Sequence, residues 1–483
     1  MRYCGISELF HDAGLAFVNQ QGEIEYASHA ERYTKSKFDP YLPDELIQMI
    51  REDDHVTFYE DHNIRQQRLA EEPELFHVSD NFAHLTMYRD TMDYDDFITH
   101  HQSHAAAGYY TRPWDSEEDT VILTIDGVGE WQTMGIYNHK LELLEYWEHP
   151  ASLGLFYTQV TKLCGLRTLE DEYVTMGMSA YGEPKAADEI YNFFYEMLDR
   201  ANRGEKIPRK EYRIFFWRLN KRLSNEDLSA SVQLFAERVF MDLAKRCTRY
   251  GKKLVVSGGS AQNIIAMSQI KQSGLFEDMW IAVAPTDAGS ALGAAAYQYC
   301  KQTGHSKVNW KNAYLGYDMR CSINPKEVVD HLLEYEYCGI ASGRAEYGPR
   351  ALGNRSLIAD VRKDVKDTVN KIKQRQEYRP FAPAILEEFA EEYFDGPMNE
   401  YMQYTSKALH DYKSVTHVDG TARVQIVRKD CKSIFRKIIE EYYERTGVPM
   451  LLNTSLNIRG KPMVNDHKDA RLFEKKYGVK VFT

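Results

Sequence analysis

The sequence predicts an α/β protein of two domains, which we place at residues 1–317 and 318–483. A chain of 483 residues is longer than one ordinary hydrophobic core supports, so a second domain is expected. Segments that alternate like strands are followed by segments with helical periodicity along most of the chain. Residues 303–318 interrupt this pattern, and motifs rich in Arg and Asn become frequent after them, so the boundary is predicted there.

Two strand–turn–strand units are the first predicted elements. Residues 2–29 contain three strands, with a turn at "FHDAG" after the first, and residues 120–138 contain a second such unit. We predict that Asp126 and Gly127 occupy the turn of the second unit. The pair resembles the duplicated halves of the actin-like ATPase fold, in which hairpin tips line a cleft.

Helices are predicted between and after these units. The pattern from about residue 42 to 50 is helical, as is the pattern around the histidines of "THHQSH". Residues 252–270 predict a strand, a Gly-Gly turn and a helix, and residues 279–300 predict a strand, a loop and a helix. Such alternation is typical of α/β domains.

Composition and charge limit the kinds of binding partner and the cellular compartment that we expect. The net charge of −12 argues against a surface for duplex nucleic acid, although a few cations suffice to bind one nucleotide. The seven cysteines are far apart and form no C-x-x-C pair, which is typical of a reducing compartment. No stretch has the roughly 20 apolar residues of a membrane span, or the pattern of a signal peptide. We therefore expect a cytoplasmic protein without a membrane partner, and the sequence leaves oligomerisation open.

The histidine cluster in "THHQSH" is a candidate metal site. On a helix, His100 and His104 share one face, whereas His101 points about 100° away. Two imidazoles one turn apart can hold one metal, but a solvated or capping pair explains this spacing equally well when it is taken alone. Asp126 and Asp287 would complete a set of two nitrogen and two oxygen ligands, which suits Fe(II), Mn(II) or Zn(II).

Three further groups are candidates for catalysis or nucleotide binding. His11 and Asp12, in the first turn, suit a general base and its neighbour, or simply a stabilised turn. Asp227 suits an assisting carboxylate or a helix N-cap. The loop "SGGSAQN" suits an approach of backbone amides to phosphate or ribose, or an ordinary tight turn. Its candidate residues are Gly258, Gly259 and Asn263.

The second half of the chain concentrates cationic and amide side chains between apolar strands. Guanidinium groups bind phosphate oxygens in pairs, so this set predicts an anion site rather than a solvated basic face. Arg344 begins the set, in "GRAEYGPRALGNRS". The other candidate residues are Arg350, Arg355, Lys373, Arg375, Arg379, His417, Arg423, Asn453, Ser455 and Asn457.

Nine motifs in this order make the sequence resemble the O-carbamoyltransferase family, whose members modify nodulation factors and antibiotics. The motifs are "FHDAGLA", "THHQSHAAAGYY", "TIDGVGE", "GGSAQN", "PTDAGSALGAA", "GRAEYGPRALGNRS", "YRPFAPAIL", "HVDGTARVQ" and "LLNTSLN". The resemblance extends from about residue 3 to residue 465, and the sixth motif is highly specific.

The resemblance implies a fold and a reaction. The N-terminal domain would be actin-like (ASKHA), similar to the threonylcarbamoyl-transfer enzyme of tRNA modification, and the C-terminal domain would be YrdC-like. In such enzymes the C-terminal domain forms carbamoyl-adenylate from carbamoyl phosphate and ATP with its Mg²⁺. The N-terminal domain then transfers the carbamoyl group to the hydroxyl of an acceptor, which is a small molecule or a nucleotide.

The resemblance also implies residue roles. His11 would be the base that takes the proton of the acceptor, with Asp12 or Asp227 assisting. The ligands of an iron(II)-like metal would be His100, His104, Asp126 and Asp287. The groups that hold carbamoyl phosphate and the phosphates of ATP would be Arg350, Lys373, Arg379, Arg423, Asn453 and Ser455.

One loop departs from the family, and two other functions stay open. Where the family usually has a Lys before "MG" and "LAPYG" after it, this chain has Val174 and Ser179. N-threonylcarbamoyl-type transfer to tRNA is one alternative, against which the acidic balance argues. A non-catalytic nucleotide-binding scaffold is the other, against which the full set of predicted ligands argues.

Overall fold

The computed structural model describes residues 1–71 and 93–483. Its strands are β1 (Arg2–Ser7), β2 (Gly14–Val18), β3 (Ile24–His29), β4 (Asp54–Phe58), β5 (Asp96–Phe97), β6 (Thr120–Gly129), β7 (Gln132–Tyr137), β8 (Leu143–Glu148), β9 (Lys253–Ser257), β10 (Asp278–Ile281), β11 (Tyr314–Met319), β12 (Tyr337–Ala341), β13 (Gly343–Glu346), β14 (Arg355–Ala359), β15 (Ala382–Leu386), β16 (Phe394–Asp395), β17 (Ser406–Ala408), β18 (Thr421–Ala422), β19 (Gln425–Val427), β20 (Met450–Ser455) and β21 (Val481–Phe482).

The helices are α1 (Glu31–Thr34), α2 (Asp44–Ile47), α3 (His62–Glu71), α4 (His100–Tyr109), α5 (Leu153–Leu163), α6 (Glu172–Met178), α7 (Ala187–Asn202), α8 (Arg209–Arg222), α9 (Asn225–Cys247), α10 (Ile264–Gln272), α11 (Asp287–Thr303), α12 (Pro325–Tyr335), α13 (Lys366–Ile372), α14 (Ala390–Tyr393), α15 (Ile434–Thr446) and α16 (His467–Tyr477). In residues 1–71 and 93–483, no helix is both long enough and apolar enough to cross a membrane.

The described chain divides into two compact units. Unit 1 is Met1–Ile24 with Gln48–Trp310, and unit 2 is Glu25–Ile47 with Lys311–Thr483. A single boundary near residue 318 was predicted, so the assignment of residues 25–47 to unit 2 was missed. Within unit 2, Arg32 donates to the carbonyl of Gly348, a partner 316 residues away, and such a contact leaves no local pattern in the sequence.

Unit 1 contains two sheets built to the same plan. In the first, β1 is antiparallel to β2 and parallel to β4, which is parallel to β5. In the second, β6 is antiparallel to β7 and parallel to β9, which is parallel to β10. Strand β8 extends the second sheet beyond β7. Both predicted strand–turn–strand units are therefore confirmed as hairpins.

Helix α11 is packed unusually close to its neighbours in unit 1. A Cβ atom on Gly5 of β1 would collide with the carbonyl oxygen of Ala291, and one on Gly293 would collide with the carbonyl oxygen of Ser103 in α4. The run of small residues in "DAGSALGAAA" therefore allows α11 to contact both β1 and α4. This close packing positions Asp287, the first residue of the helix.

Two details of the sequence prediction are wrong. The helix expected at about residues 42–50 is the short α2, Asp44–Ile47. Asp126 and Gly127 lie within β6, and the chain reverses at Glu130, whose φ is 54°. The pairing of β6 with β7 shifts between Ile125 and Gly129, so the strand continues past the residues that look like a turn.

Unit 2 is centred on a six-stranded sheet in the order β19-β15-β20-β14-β12-β21. Neighbouring residues of β14 face opposite sides, because Leu357 belongs to one apolar cluster and Ile358 to another. Both faces of the sheet are thus covered by core. Asn453 and Ser455 lie on β20, as the strand pattern predicts.

Candidate metal centre and anion site

Four side chains from three elements meet in unit 1. His100 and His104 lie on one face of α4, Asp126 lies on β6, and Asp287 begins α11. One ligand atom from each of the four falls within 4.8 Å of the others. Gly129 leaves room for this arrangement, because a Cβ atom there would collide with the imidazole of His100.

Hydrogen bonds and short contacts define the geometry of the cluster. The Oδ2 atom of Asp126 is 3.1 Å from Nε2 of His100 and 2.9 Å from Nε2 of His104. The two Nε2 atoms are 3.2 Å apart. The Oδ1 atom of Asp287 lies 3.4 Å from Nε2 of His104 and 3.7 Å from Nε2 of His100. The four groups therefore point at one small volume.

The polar atoms of the cluster are not fully satisfied by the protein. His100, His104 and Asp287 are buried, and among the described residues neither carboxylate oxygen of Asp287 has a hydrogen-bonding partner. A buried carboxylate without a partner is costly unless a cation joins it. The donor set of two imidazole nitrogens and two carboxylates fits Fe(II), Mn(II) or Zn(II).

Charge within the cluster perturbs its titration. Burial disfavours the charged imidazole of His100, but Asp287, Asp126 and Glu60 raise its pKa well above the ordinary value. Burial likewise disfavours the carboxylate of Asp126, but hydrogen bonds from His100 and His104 hold its pKa well below the ordinary value. The cluster thus favours one or more positive charges beside its carboxylates.

Outer contacts orient the two histidines. The Nδ1 atom of His104 is 3.1 Å from Oγ of Ser290. The Nδ1 atom of His100 faces Oε2 of Glu60 at 3.7 Å, and Arg65 donates to Oε1 of Glu60 at 2.7 Å. Burial raises the pKa of Glu60, but Arg65 and His100 lower it to about 2, so this carboxylate is charged. Carboxylate partners of this kind commonly orient metal-binding imidazoles.

His101 is engaged elsewhere. Its Nδ1 atom is 2.9 Å from Oγ1 of Thr124, and its Nε2 atom is 2.9 Å from the carbonyl oxygen of Gln132. Both ring nitrogens therefore have partners away from the cluster. The direction predicted for His101 from helical geometry agrees with this placement.

His11 and Asp12 lie beside the cluster, in the loop between β1 and β2. The Nε2 atom of His11 is 3.7 Å from Oδ2 of Asp287. Asp12 accepts a hydrogen bond from Oγ1 of Thr286, the residue before α11, and has a φ of 56°. Arg65 donates to the carbonyl oxygen of Leu9 at 3.1 Å, which ties this loop to the same arginine that pairs with Glu60.

Asp227 has other contacts than those predicted. It lies in the first turn of α9, where its carboxylate accepts from the backbone N–H of Glu183 at 2.9 Å and from Nζ of Lys185 at 2.6 Å. Ser224, not Asp227, is the N-cap of the helix. The interpretation of Asp227 as an N-cap is therefore wrong, since its carboxylate fastens residues 183–185, and its assistance to His11 stays a prediction.

The Gly-Gly loop lies directly against β6. Gly258 has a φ of 92°, and a Cβ atom there would collide with the carbonyl oxygen of Ile125. A Cβ atom on Gly259 would lie 2.9 Å from Oδ1 of Asp126. Asn263 caps α10 by accepting from the N–H of Ala266 at 3.1 Å. The glycines therefore bring backbone close to the cluster, while the Asn263 side chain is used for capping.

Unit 2 contains a group of cations, in which Lys373 is buried and Arg350, Arg375, Arg379 and Arg423 are partly buried. Burial, Arg375 and Arg379 hold the pKa of Lys373 well below its ordinary value. Burial, Arg350, Arg379 and Arg375 do the same for Arg423. Like charges depress these pKa values only when they lie close together, so the five side chains form one group.

Neutral oxygens surround Lys373 within this group. Its Nζ atom contacts both oxygens of Ser455, and lies 2.9 Å from Oδ1 and 3.1 Å from the carbonyl oxygen of Asn457. Among the described residues, the neighbours that shift the pKa of Lys373 are all cations. Such a group is stabilised by an anion that neutralises it.

Amide groups of β20 and β19, the strands on either side of β15, extend the same region. Asn453 donates to Oε1 of Gln425 at 2.6 Å and to the carbonyl oxygen of Ala351 at 3.1 Å. Its Oδ1 atom is buried and has no hydrogen-bonding partner in the described part of the chain. His417 pairs with Asp419, its Nδ1 atom lying 3.3 Å from Oδ2 of that carboxylate.

Arg355 is structural rather than ligand-binding, contrary to the sequence prediction, and Arg344 also binds backbone. The guanidinium of Arg355 donates to five carbonyl oxygens, at distances from 2.7 to 3.2 Å, so its five N–H groups are used. Arg344 donates to the carbonyl oxygens of Glu25, Leu315 and Gly316. Both side chains therefore fasten the backbone.

Three functional neighbours were missed by sequence reasoning. Glu60 and Arg65 follow β4 and reach His100 and the His11 loop, but only their position after a strand could have drawn attention to them. Glu346 accepts from the backbone N–H groups of Leu352, Asn354 and Arg355 through one oxygen. It therefore organises the loop that carries Arg350.

Comparisons with known proteins agree on one family. The sequence matches the family described as Carbamoyltransferase N-terminus over residues 77–296, and the one described as Carbamoyltransferase C-terminus over residues 329–482. Nodulation protein NolO of Bradyrhizobium diazoefficiens is 32% identical over 77% of this chain and 75% of its own length. Nodulation protein NolNO of Sinorhizobium fredii is 33% identical over 77% of this chain, which spans 61% of the length of NolNO.

An enzyme and a solved structure complete the comparison. The 3'-hydroxymethylcephem-O-carbamoyltransferase of Amycolatopsis lactamdurans is 28% identical over 79% of this chain and 78% of its own length. The activator of the 2-hydroxyisocaproyl-CoA dehydratase from Clostridium difficile has a TM-score of 0.37 and 15% identity, over 63% of this chain and 96% of its own. The two family matches and the identity to NolO show that this chain belongs to the carbamoyltransferase family and is an enzyme of that type.

Proposed function

We propose that this protein is an ATP-dependent O-carbamoyltransferase. The observation that carries the proposal is a group of five cations in unit 2, in which burial and neighbouring arginines hold the pKa values of Lys373 and Arg423 well below their ordinary values. Carbamoyl phosphate and ATP bring several negative charges together, and clustered cations offset their repulsion. The O-carbamoyltransferase among the relatives supports a hydroxyl as the acceptor.

The first half-reaction is assigned to unit 2, which the resemblance makes YrdC-like. Water releases inorganic phosphate from carbamoyl phosphate, and an oxygen of the resulting carbamate attacks the α-phosphorus of ATP. Carbamoyl-adenylate forms and pyrophosphate leaves. Lys373 and Arg423 hold the phosphates, and the buried Oδ1 atom of Asn453 offers an acceptor to an N–H group. Enclosure between strands protects the carbamate from loss.

The second half-reaction is assigned to unit 1. His11 takes the proton of the acceptor hydroxyl, the oxygen attacks the carbamoyl carbon, and AMP leaves with the electron pair of the broken C–O bond. A divalent ion held by His100, His104, Asp126 and Asp287 would supply Lewis-acid polarisation of an oxygen in this site. Glu60 and Ser290 orient the two imidazoles, and Thr286 holds Asp12 beside His11.

The first prediction concerns turnover without an acceptor. Release of pyrophosphate and AMP from ATP should require carbamoyl phosphate, because hydrolysis of carbamoyl-adenylate completes a slow cycle. Lys373→Ala should reduce this turnover by about 100-fold or more, since it removes a buried cation from the anion site. The measurement is a coupled pyrophosphate assay on the metal-loaded enzyme, with AMP quantified in parallel.

Lys371→Ala is the matched control, because Lys371 is exposed and lies two positions away in α13. Its turnover should equal that of the wild type. A wild-type rate that is independent of carbamoyl phosphate would overturn the proposed function. A rate that depends on added tRNA would favour threonylcarbamoyl-type transfer instead.

The second prediction concerns the pH dependence of anion binding. Burial and neighbouring cations lower the pKa of Lys373, and a bound anion raises it again, so binding takes up a proton. Affinity for carbamoyl phosphate should therefore fall as the pH rises above the lowered pKa, by up to about tenfold per pH unit. Calorimetric titration from neutral to alkaline pH measures this slope.

Lys373→Arg provides the comparison for this slope, since a guanidinium keeps its proton throughout that range. Its affinity should be lower near neutrality, because the geometry changes, but nearly independent of pH. Equal slopes for the two proteins would assign the titration to another group.

The third prediction concerns metal binding. The wild type should bind one divalent ion, measured by elemental analysis and by titration with Co(II), whose spectrum reports the ligand field. His104→Ala removes a ligand. Its loss of metal affinity should therefore exceed the about tenfold to hundredfold loss that follows the removal of an outer partner. His101→Gln is the control, since both nitrogens of His101 have partners outside the cluster. Equal losses in the two variants would contradict the assignment.

The fourth prediction concerns Glu60. Glu60→Gln should weaken metal binding by about tenfold to hundredfold, since it removes the charge that faces Nδ1 of His100. Glu130→Gln is the control, because the contacts of Glu130 with Asp61 and His100 are to backbone N–H groups, which an amide oxygen can also accept. Thermal unfolding of each apoprotein separates this effect from a loss of folding. Unchanged affinity in Glu60→Gln would remove Glu60 from the site.

A further inference from the structure

Helix α8 presents to solvent a cationic face that contains none of the residues assigned above to carbamoyl transfer. Its 14 residues, RKEYRIFFWRLNKR, include six Lys or Arg and a single Glu, although the whole chain has a net charge of −12. The charge of this helix is therefore opposite in sign to that of the chain as a whole.

The opposite side of α8 is firmly packed. Tyr212, Phe216 and Leu219 are buried. The ring of Phe156 lies 5.8 Å from that of Tyr212 and 5.4 Å from that of Phe216, both nearly edge-on. The helix is thus held by an aromatic core, and the residues on its solvent face are not needed for that packing.

The solvent face has an apolar centre surrounded by cations. Trp217 is 57% exposed and Ile214 is 37% exposed. At about 100° per residue, these two side chains lie near the middle of the exposed arc. The cations around them are Lys210 and Lys221 toward the two ends of the helix, and Arg213 and Arg218 at its two sides.

These four cations differ from the other charges of the helix. Arg222 pairs with Glu189 at 2.6 Å, and Glu211 of the same helix pairs with Arg200 at 2.6 Å. Lys210, Arg213, Arg218 and Lys221 form no such pair with any residue in the described ranges. The Nζ atom of Lys221 instead lies 5.9 Å from the ring centroid of Trp217.

We propose that this face of α8 docks reversibly on an anionic lipid surface. Trp and Ile side chains enter the headgroup region of a bilayer, while long Lys and Arg side chains around them reach the phosphates. Single-stranded nucleic acid is bound differently, by aromatic platforms along a cationic track. This proposal departs from the sequence expectation of no membrane partner. That expectation was based on the lack of a spanning segment, and surface docking needs none.

The charge of the rest of the chain determines the character of this docking. An acidic protein is repelled by an anionic surface except where its cations face that surface. Binding should therefore be local to α8, and weakened by salt, because exposed charges are screened within about 8 Å at physiological ionic strength. It does not depend on metal, ATP or carbamoyl phosphate.

Flotation with vesicles of phosphatidylcholine, with or without phosphatidylglycerol, tests the proposal on the full chain. The wild type should float with the vesicles that contain phosphatidylglycerol, and raised salt should release it. Arg213→Glu combined with Arg218→Glu should lower this partition by about tenfold or more, since each cation near an anionic surface contributes to binding. Trp217→Ala should lower it several-fold without changing the salt dependence.

Lys245→Glu combined with Arg249→Glu is the matched control, because both residues are exposed and the change in net charge is the same. This variant should float like the wild type. Equal losses in the two double variants would overturn the proposal, as would equal flotation of the wild type with neutral vesicles. Failure to float, with binding to polyuridylic acid that the α8 variant loses, would assign the face to nucleic acid instead.

Discussion

The close contact of α11 with β1 and α4 is the constraint on which the arrangement in unit 1 depends. Backbone carbonyls of Ala291 and Ser103 occupy the space where side chains of Gly5 and Gly293 would lie. Because the helix cannot move outward without opening a cavity, its first residue, Asp287, stays beside the two histidines of α4. A second close approach, of Gly258 to Ile125, holds the Gly-Gly loop against the same strand that carries Asp126.

The surroundings of the buried basic groups shift their pKa values in opposite directions in the two units. In unit 1, carboxylates outnumber the cations around His100 and His104, and the histidines become more basic as a result. In unit 2, burial and the neighbouring Arg375 and Arg379 lower the pKa of the Lys373 amine, so the amine becomes less basic. Each arrangement costs folding free energy unless a ligand of opposite charge is bound, so each is better explained by ligand binding than by stability.

The segment "GRAEYGPRALGNRS" illustrates how one motif divides its work. Arg344 and Arg355 fasten backbone carbonyls, and Glu346 collects three N–H groups of the loop through one oxygen. The loop is thereby held in a conformation in which the charge of Arg350 lowers the pKa of Arg423. Two of the three arginines in this motif are therefore engaged with backbone.

The sequence by itself determined the local elements and the residue types of both sites. Helical spacing predicts that His100 and His104 share a face, because this periodicity depends only on neighbouring residues. The order of the motifs carried the resemblance and hence indicated the family. Only the tertiary structure decided that residues 25–47 belong with unit 2. It also decided that Asp227 fastens residues 183–185, and that Arg355 donates its five N–H groups to carbonyl oxygens. It also brought Glu60 and Arg65 to His100, since contacts between distant segments depend on packing, which leaves no periodic signal in the chain.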